Sequence, residues 1–446
     1  MTTTKKNSNL VAIITMFFIF AMISFVTNLA APIGTIWGYK FEGNSVLGMM
    51  GNMMNFLAYL FMGIPAGNLL VKIGYKKTAL WAMAIGVVGL FTQYLSSVVT
   101  ADNAIIPFCI YLLGAFICGF CVCMLNTVVN PMLNMLGGGG NKGNQLIQTG
   151  GALNSLSGTL TPFFVGALIG VLSPATHISD VSPLLFIGMG IFAAAFVIIS
   201  FVAIPEPNKS ASGKKIKYAH SPWNFRHTVL GVIGIFLYVG IEIGIPGTLN
   251  FYLAERGASG AQVVGDASTI AGAIVAIYWL FMLVGRILSS FISGVVSARA
   301  QLIAVSSVAI VLIIIAIFLP REVTIPVPEF VYTAADGTGA VVPMSSLFLV
   351  LCGLCTSVMW GGIFNLAVEG LGKYTAQASG IFMMMVVGGG VMPLVQNWIA
   401  QNVGYMASYW LVVAMLAYLL YYGLIGAKNV NTDIPVTEDN VDPLNL

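Results

Sequence analysis

Charged side chains are scarce in this sequence of 446 residues, because only 7% are Asp, Glu, Lys or Arg. Apolar residues make up 58%, and the mean hydropathy is +0.94, so the chain has more apolar surface than a water-soluble core can bury. We therefore predict that the chain lies in lipid. Its net charge of +3 is too small and too scattered for a nucleic-acid surface, so no nucleic-acid partner is expected.

Cysteine and histidine are also few, which limits the chemistry available to the chain. The six cysteines lie inside apolar runs rather than in polar loops. Cys352 and Cys355 have C-x-x-C spacing, but no histidine or second pair lies near them, so the motif is a weak indication of a metal or redox site. The histidines His177, His220 and His227 fall at loops or span ends and do not group with carboxylates. We expect no enzyme active site, no metal and no cofactor.

Long apolar stretches dominate what remains, and stretches of roughly 18 residues or more are typical of transmembrane helices. Six precede and six follow one polar connection, so the predicted fold class is an all-α membrane protein of twelve transmembrane helices in two six-helix bundles. The predicted spans are 10–38, 45–70, 78–98, 104–134, 144–172, 181–204, 226–255, 265–296, 299–319, 344–372, 374–400 and 402–426. The predicted domains are 1–204, a cytoplasmic linker 205–225, 226–426 and a cytoplasmic tail 427–446.

The distribution of basic residues predicts the orientation, because cytoplasmic loops retain Lys and Arg. If the N-terminus is inside, 14 of the 18 Lys and Arg residues face the cytoplasm, three face outward and Arg286 lies within a span. Both termini are therefore predicted to be cytoplasmic.

The two halves resemble each other, which indicates internal duplication. The segment Gly67–Lys77 joins spans 2 and 3, and Gly294–Arg299 joins spans 8 and 9 at the same place in the second half. Residues 152–162 likewise match residues 383–393, at an offset of 231. The pattern favours a six-plus-six transporter over an enzyme or a channel with unrelated spans.

Four segments carry a resemblance to a known family. Gly67–Lys77 resembles the signature loop of the major facilitator superfamily, with Val71 where that signature usually has an aspartate. The segments 125–131, 238–242 and 364–380 are similar to the fucose permease and glucose/galactose permease family. The resemblance implies the major facilitator fold and a proton-coupled sugar symporter of the bacterial inner membrane that works by alternating access.

Two positions depart from that family and leave the mechanism open. The stretch Thr27–Pro32 has no carboxylate where the family's first span carries an Asn-Asp pair, and Asn126 stands where fucose permeases have a glutamate. Three alternatives remain: ion-driven uptake of a monosaccharide, uncoupled or sodium-coupled uniport or export through the same fold, and a membrane sensor or enzyme. The expected partners are a small-molecule sugar, a proton or sodium ion and membrane lipid, with the chain a monomer.

Amide side chains within the spans of the first half are candidates for substrate binding. A sugar is uncharged and rich in hydroxyls, so its site needs amides, carboxylates and aromatic faces. The alternative is that these amides join helices by hydrogen bonds, or, for the residue before Pro131, that it caps a carbonyl freed by the proline. The candidates, expected to face one cavity, are Asn28, Asn126, Asn130, Gln148 and Asn154.

Glu242 is the most specific candidate of the second half, because it lies near the middle of span 7. A charged carboxylate there costs on the order of 3 kcal/mol unless it is paired, protonated or solvated. Three roles are compatible with this position: a ligand for sugar hydroxyls, a proton carrier, or a structural partner for an amide on span 1 or 4.

Four charged residues are candidates for gating or conformational roles. Lys72 and Lys76 belong to the signature loop, and Arg286 and Glu369 lie nearer the cytoplasmic boundary, where side chains can snorkel or pair. Substrate contact is the alternative for the latter two.

Trp360 and Asn365 are the remaining substrate-binding candidates. Trp360 precedes and Asn365 follows Gly361-Gly362, where family members have a proline-containing bend. We therefore expect the helix to break at these glycines and Trp360 to line a cavity. The alternative places Trp360 against lipid or in the core.

Overall fold

Helices make up most of the protein in a computed structural model. Helix formation follows from the composition, because a backbone surrounded by hydrocarbon must satisfy its N–H and C=O groups within each segment. The residues described are 2–29, 33–34, 36–37, 40–41, 45–99, 103–169, 175–202, 204–206, 220–254, 260–261, 263, 267–329, 331–332 and 339–436.

Five long helices are described in the first half of the chain. Short 3-10 turns, Ile178–Val181 and Pro222–Asn224, precede the fifth and sixth helices. The long helices are α1 (Thr2–Asn28), α2 (Ser45–Val98), α3 (Ile105–Leu136), α4 (Gly140–Ile169) and α5 (Ser182–Phe201).

Seven helices and one small hairpin are described in the second half. The antiparallel strands β1 (Thr324–Pro326) and β2 (Val341–Pro343) lie in the connection between the third and fourth of these helices. The helices are α6 (Arg226–Ala254), α7 (Ala267–Ile292), α8 (Ala298–Phe318), α9 (Ser345–Ala367), α10 (Thr375–Met384), α11 (Gly388–Val403) and α12 (Tyr405–Tyr421). Three short turns, Gly372–Tyr374, Met385–Val387 and the π-helical Tyr422–Gly426, adjoin them.

The helices agree with the predicted spans. Within the described residues, ten helical segments are long and apolar enough to cross a membrane. One of them, Met50–Val98, has 49 residues and is interrupted at Gly74, so it has the length of two passes. Helix α4, which carries Gln148 and Asn154, is not among the ten. The arrangement is consistent with twelve spans.

The predicted helix break at Gly361 and Gly362 is wrong. Helix α9 continues without interruption through Gly361 and Gly362. Both glycines are buried, and packing of α9 against α7 and α8 stabilises the helix despite the weak helix propensity of glycine. The irregular segment lies instead at Met385–Val387, where a 3-10 turn separates α10 from α11.

The chain forms two compact units. The first unit comprises Met1–Thr228, Val368–Val386 and Asn429–Leu446, and the second comprises Val229–Ala367 and Val387–Lys428. Most of the predicted linker 205–225 and the end of the predicted tail lie outside the described residues. The predicted domain boundaries therefore stay a prediction.

Helix α10 belongs to the first unit because it packs closely against α2. A Cβ atom added to Gly67 would lie 3.0 Å from the Cα of Gly380, and one added to Gly380 would lie 2.5 Å from the carbonyl oxygen of Gly63. Only glycine allows two helix backbones to approach so closely. A larger side chain at any of these positions would separate the helices.

The helix start after the break in α2 is capped by a carboxylate from the segment that follows α5. Gly74 has φ +86°, a conformation that glycine adopts without strain, and the helix restarts at once. The new helix start leaves N–H groups without intrahelical acceptors, and Glu206 accepts from the N–H of Tyr75 (2.7 Å) and of Lys76 (2.9 Å). The negative charge also suits the positive end of the helix dipole.

A proline within α3 creates a contact with α10. Pro131 has no N–H, so the carbonyl of Thr127, four residues earlier, loses its helical donor. The hydroxyl of Ser379 on α10 donates to that carbonyl oxygen at 3.0 Å, and both groups are buried. A side-chain hydroxyl thus replaces the missing backbone donor.

We predict that Glu206→Ala lowers the free energy of unfolding by about 1 kcal/mol, since two N–H groups at a helix start lose their acceptor. The measurement is the melting temperature of the purified protein in detergent. Glu322→Ala is the control, because its carboxylate is 75% exposed and lies 3.6 Å from the exposed Arg321, and exposed pairs contribute little. Equal melting temperatures for the two variants would contradict the capping role.

Candidate functional site

A buried ion pair joins two helices of the second unit. The guanidinium of Arg286 on α7 lies 3.1 Å from a carboxylate oxygen of Glu242 on α6, and their side chains are only 12% and 15% exposed. The pairing offsets the unfavourable free energy of a carboxylate within an apolar span, because an opposite charge and a hydrogen bond compensate for lost solvation. It also ties α6 to α7 at this level.

This partner differs from the one that the sequence suggested. The structural alternative for Glu242 was an amide of span 1 or 4, and Arg286 was placed apart from it, nearer the cytoplasmic boundary. Sequence spacing could not reveal the contact, because Glu242 and Arg286 are 44 residues apart on different helices. The pair brings the sharpest substrate candidate and a gating candidate into one cluster.

Aromatic and hydroxyl groups surround the ion pair. Tyr238 precedes Glu242 by one turn on α6, near both charged groups, and its ring lies 6.2 Å from that of Trp360 on α9. The Tyr278 hydroxyl of α7 lies 3.3 Å from the carbonyl oxygen of Glu242, and the Thr356 hydroxyl of α9 lies 2.9 Å from that of Tyr278. We refer to Tyr238, Glu242, Tyr278, Arg286, Thr356 and Trp360 as the ion-pair cluster.

Sequence reasoning named three members of the ion-pair cluster and missed three. Tyr238 could have been found, because it lies four residues before a carboxylate on a helix. Tyr278 and Thr356 carried no comparable signal within their apolar helices. Trp360 is half-buried, and Asn365, a further turn along α9, is 5% exposed.

The amides of α3 make hydrogen bonds within the first unit. Asn126 donates through Nδ2 to the hydroxyl of Tyr59 on α2 (2.9 Å) and to the carbonyl of Val122 (3.1 Å). Asn130 is buried, and its Nδ2 donates to the carbonyl of Asn126 at 2.9 Å. The carbonyl freed by Pro131 is bonded by a hydroxyl of α10, as described above.

The amides of α1 and α4 also have helical partners. Asn154 donates to the carbonyl of Phe20 on α1 at 2.9 Å, and Ser157 donates to the next carbonyl, that of Ala21, at 2.8 Å. Asn28 is exposed and donates to the carbonyl of Ser24 on its own helix at 2.8 Å. Gln148 is 2% exposed. Asn154 thus joins α4 to α1 through its nitrogen, and a role in substrate binding stays a prediction.

Three of the gating candidates belong to the first unit, and two of them, Lys72 and Lys76, lie in α2 on either side of Gly74. Lys76 donates through Nζ to the carbonyls of Ser200 (2.7 Å) and Val202 (2.9 Å), where α5 ends and its carbonyls lack helical donors. Lys72 is exposed one turn earlier. Glu369 is exposed just after α9, and its backbone carbonyl lies 2.9 Å from Nε2 of His227.

The chain belongs to the major facilitator superfamily. The sequence profile of that family, described as Major Facilitator Superfamily, matches residues 11–386. The fold class predicted from the sequence, including the major facilitator fold, is confirmed, and the chain is a multi-pass membrane protein.

The relatives also confirm the predicted resemblance to sugar permeases. The chain is 30% identical over 439 residues to a protein of Brucella abortus biovar 1 (strain 9-941) named "Glucose/galactose transporter", covering 96% of this chain and 97% of the relative. It is 23% identical to the "L-fucose-proton symporter" of Escherichia coli (strain K12), covering 81% of this chain and 80% of the relative. The solved structure of FucP, a major facilitator transporter in the outward conformation, superposes with a TM-score of 0.75 at 17% identity, covering 93% and 98% of the two chains.

We predict that Arg286→Met destabilises the protein by about 3–5 kcal/mol, because it leaves the Glu242 carboxylate buried without its counter-charge. The double variant Glu242→Gln/Arg286→Met removes both charges and should recover most of that loss. Melting temperatures of the single and double variants in detergent, combined as a double-mutant cycle, measure the coupling. Additive effects of the two substitutions would show that the pair contributes no coupling to the folded state.

Proposed function

We propose that this protein is a secondary transporter that takes up a monosaccharide, a hexose such as glucose, galactose or fucose or a close derivative, by alternating access. The substrate class is supported by the names of the relatives, which are glucose/galactose and fucose transporters. The observation that carries the proposal is the ion-pair cluster, a polar site within otherwise apolar helices. Such polar groups inside a membrane domain mark substrate or ion pathways.

The chemistry of the ion-pair cluster suits a sugar. A carboxylate accepts two hydroxyl protons and a guanidinium donates to hydroxyl oxygens, so Glu242 and Arg286 can each bind a polyol. Trp360 and Tyr238 offer ring faces for the C–H side of a pyranose. In the first unit, Asn28, Asn126, Asn130, Gln148 and Asn154, with Asn365 in the second, are proposed as further polar contacts.

Cation coupling, most simply to a proton, is the second part of the proposal. The relative named as a proton symporter supports it, and Glu242 is the carboxylate we assign to the proton. Protonation of Glu242 would cancel the charge that faces Arg286, so proton binding and the α6–α7 contact would be linked. The pair would then open and close with proton uptake and release.

An uncoupled or sodium-coupled sugar uniporter or exporter is the alternative. It is favoured by one observation, that Asn126 and the stretch Thr27–Pro32 have no carboxylate where the family carries one. In that case the ion pair would stay charged throughout the cycle and serve as a structural joint.

Orientation and gating complete the proposal. We place both termini in the cytoplasm and the protein in a bacterial inner membrane, on the basis of the Lys and Arg distribution. The contacts of Lys76 with the end of α5, and of the Glu369 carbonyl with His227, support gating roles for Lys76 and Glu369. Lys72 and Arg286 are proposed to act with them.

Uptake by proteoliposomes tests the function directly. Purified protein is reconstituted, and entry of radiolabelled D-glucose, D-galactose and L-fucose is measured with an imposed proton gradient, an imposed sodium gradient and neither. Accumulation driven by the proton gradient is expected. Equilibration without accumulation would favour the uniporter, and the absence of flux for every sugar would reject sugar transport.

We predict that Glu242→Gln abolishes gradient-driven accumulation, because glutamine can neither release a proton nor pair with Arg286 as a charge. Exchange of sugar across the liposome membrane in the absence of a gradient is expected to persist at a reduced rate. Glu322→Gln, on the exposed loop, is the control and should accumulate sugar normally. Unchanged accumulation and pH dependence in Glu242→Gln would show that Glu242 is neither a sugar ligand nor the proton carrier.

We predict that Asn154→Ala raises the half-saturation concentration for sugar roughly three- to tenfold, as expected for the loss of one hydrogen bond. Isothermal titration calorimetry with the transported sugar gives the binding constant. Ser157→Ala is the matched control, since it breaks the neighbouring hydrogen bond from α4 to α1. If both variants weaken binding equally, Asn154 acts only through helix packing.

A further inference from the structure

The carbonyl of Glu242 is a second polar group on the residue that carries the buried carboxylate. In a regular helix it would accept a hydrogen bond from the N–H of residue 246. That residue is Pro246, which lies inside α6 and has no N–H. The carbonyl therefore needs another donor, because an unsatisfied backbone group inside a membrane span is strongly unfavourable.

Tyr278 of α7 supplies that donor. Its hydroxyl oxygen lies 3.3 Å from the carbonyl oxygen of Glu242, and the tyrosine is fully buried. A carbonyl can only accept, so the Tyr278 hydroxyl is the donor in this contact. The hydroxyl takes the place of the N–H that Pro246 lacks.

Thr356 of α9 completes the arrangement. Its hydroxyl oxygen lies 2.9 Å from that of Tyr278, and either atom could donate. A Tyr278 hydroxyl that donates to Glu242 can still accept from Thr356. The Thr356 hydroxyl also lies 3.1 Å from the carbonyl oxygen of Cys352 and 3.3 Å from that of Gly353, so it has acceptors on its own helix as well. The Tyr278 hydroxyl thus lies between the Glu242 carbonyl of α6 and the Thr356 hydroxyl of α9.

Glycines bring α7 and α9 close enough for this contact. A Cβ atom on Gly353 would collide with the carbonyl oxygen of Tyr278, and one on Gly285 would collide with the hydroxyl of Ser357 and lie 2.9 Å from the carbonyl oxygen of Leu354. Two close approaches, about two turns apart on α7, fix how far Tyr278 stands from α9. The position of its hydroxyl is thus set by backbone packing.

Two long side chains of α7 converge on one residue of α6. Tyr278 and Arg286 are eight residues apart, roughly 12 Å along the helix. Tyr278 reaches the backbone carbonyl of Glu242, and Arg286 reaches its carboxylate at 3.1 Å. The first contact fixes the turn of α6, and the second fixes the side chain. The same substitution of a side-chain hydroxyl for the N–H that a proline lacks occurs in α3, where Ser379 donates to the carbonyl of Thr127.

We propose that Tyr278 is a positioning residue, which holds the Pro246-broken turn of α6 so that the Glu242 carboxylate meets Arg286. Pro246 makes the turn deformable, and the Tyr278 hydroxyl restores its geometry. The inference rests on the proposed function for its transport readout, but the position of the carboxylate can be measured without any sugar.

A mutant cycle with Pro246 tests the inference. Tyr278→Phe removes the donor and keeps the ring, and it should raise the KM for D-galactose uptake roughly threefold to tenfold. In a Pro246→Ala background the helix regains the N–H at residue 246, so the same substitution should change the KM less than about twofold. A merely structural role of the hydroxyl predicts equal effects in both backgrounds, and that result would overturn the proposal.

A second readout covers the case in which no hexose is transported. Modification of Glu242 by dicyclohexylcarbodiimide, followed by intact mass with Glu242→Gln as the blank, reports how firmly Arg286 holds the carboxylate. Arg286→Met should react fastest, and Tyr278→Phe should react roughly threefold or more faster than the unaltered protein. A rate equal to that of the unaltered protein would overturn the inference whatever the substrate. Absence of sugar flux together with the expected labelling would reject only the proposed function.

Tyr409→Phe is the matched control for both readouts. Tyr409 is also a fully buried tyrosine, and its hydroxyl donates to the carbonyl of Ile245 on α6 at 2.9 Å. That carbonyl faces the backbone N–H of Leu249 in the same helix, so it does not depend on the tyrosine. We expect labelling of Glu242 and the KM to be unchanged in this variant. Rises in the KM and in the labelling rate equal to those of Tyr278→Phe would show that any buried tyrosine hydroxyl bonded to α6 has this effect. That result would overturn the special role of Tyr278.

Discussion

The requirement that every backbone polar group find a partner inside an apolar phase governs this protein. Regular helices meet it without help, so most of the chain needs only apolar side chains. Prolines break the rule locally, at Pro131 in α3 and at Pro246 in α6. Each freed carbonyl is bonded by a hydroxyl from a neighbouring helix, Ser379 in one case and Tyr278 in the other. At these two prolines, the turn that lacks a backbone hydrogen bond is therefore also a point where the helix is joined to its neighbour.

The same reasoning explains why the ion pair matters. A carboxylate and a guanidinium within a span are each costly, and replacing such a pair by apolar residues often does not lower stability. The pair is therefore better explained by function than by stability. Glu242 has its carboxylate held by Arg286 and its carbonyl held by Tyr278, so both of its polar groups depend on α7. Movement of α7 against α6, or a change in the charge of Glu242, would alter both contacts.

Glycine and loop contacts show how the fold combines close packing with capping. Gly63, Gly67 and Gly380 let α2 and α10 meet at backbone distance. The Glu206 carboxylate caps the helix start after Gly74, and the Lys76 ammonium group donates to carbonyls at the end of α5. These contacts bring together segments distant in sequence.

Composition and periodicity determined the membrane class, the helical fold and most span boundaries, because hydrocarbon imposes the same demand on every residue of a span. The sequence also singled out Glu242, since a lone carboxylate in an apolar run has no inexpensive position. Its partners could not be predicted, because Arg286 and Tyr278 reach it from α7 and no spacing rule links residues on separate spans. The amides show the same limit, since Asn126 and Asn154 were recognisable as polar, but only packing revealed that they face Tyr59 and the α1 backbone. Sequence thus fixes which groups need partners, and tertiary structure decides which partners they receive, because helix rotation and approach depend on contacts along the whole interface.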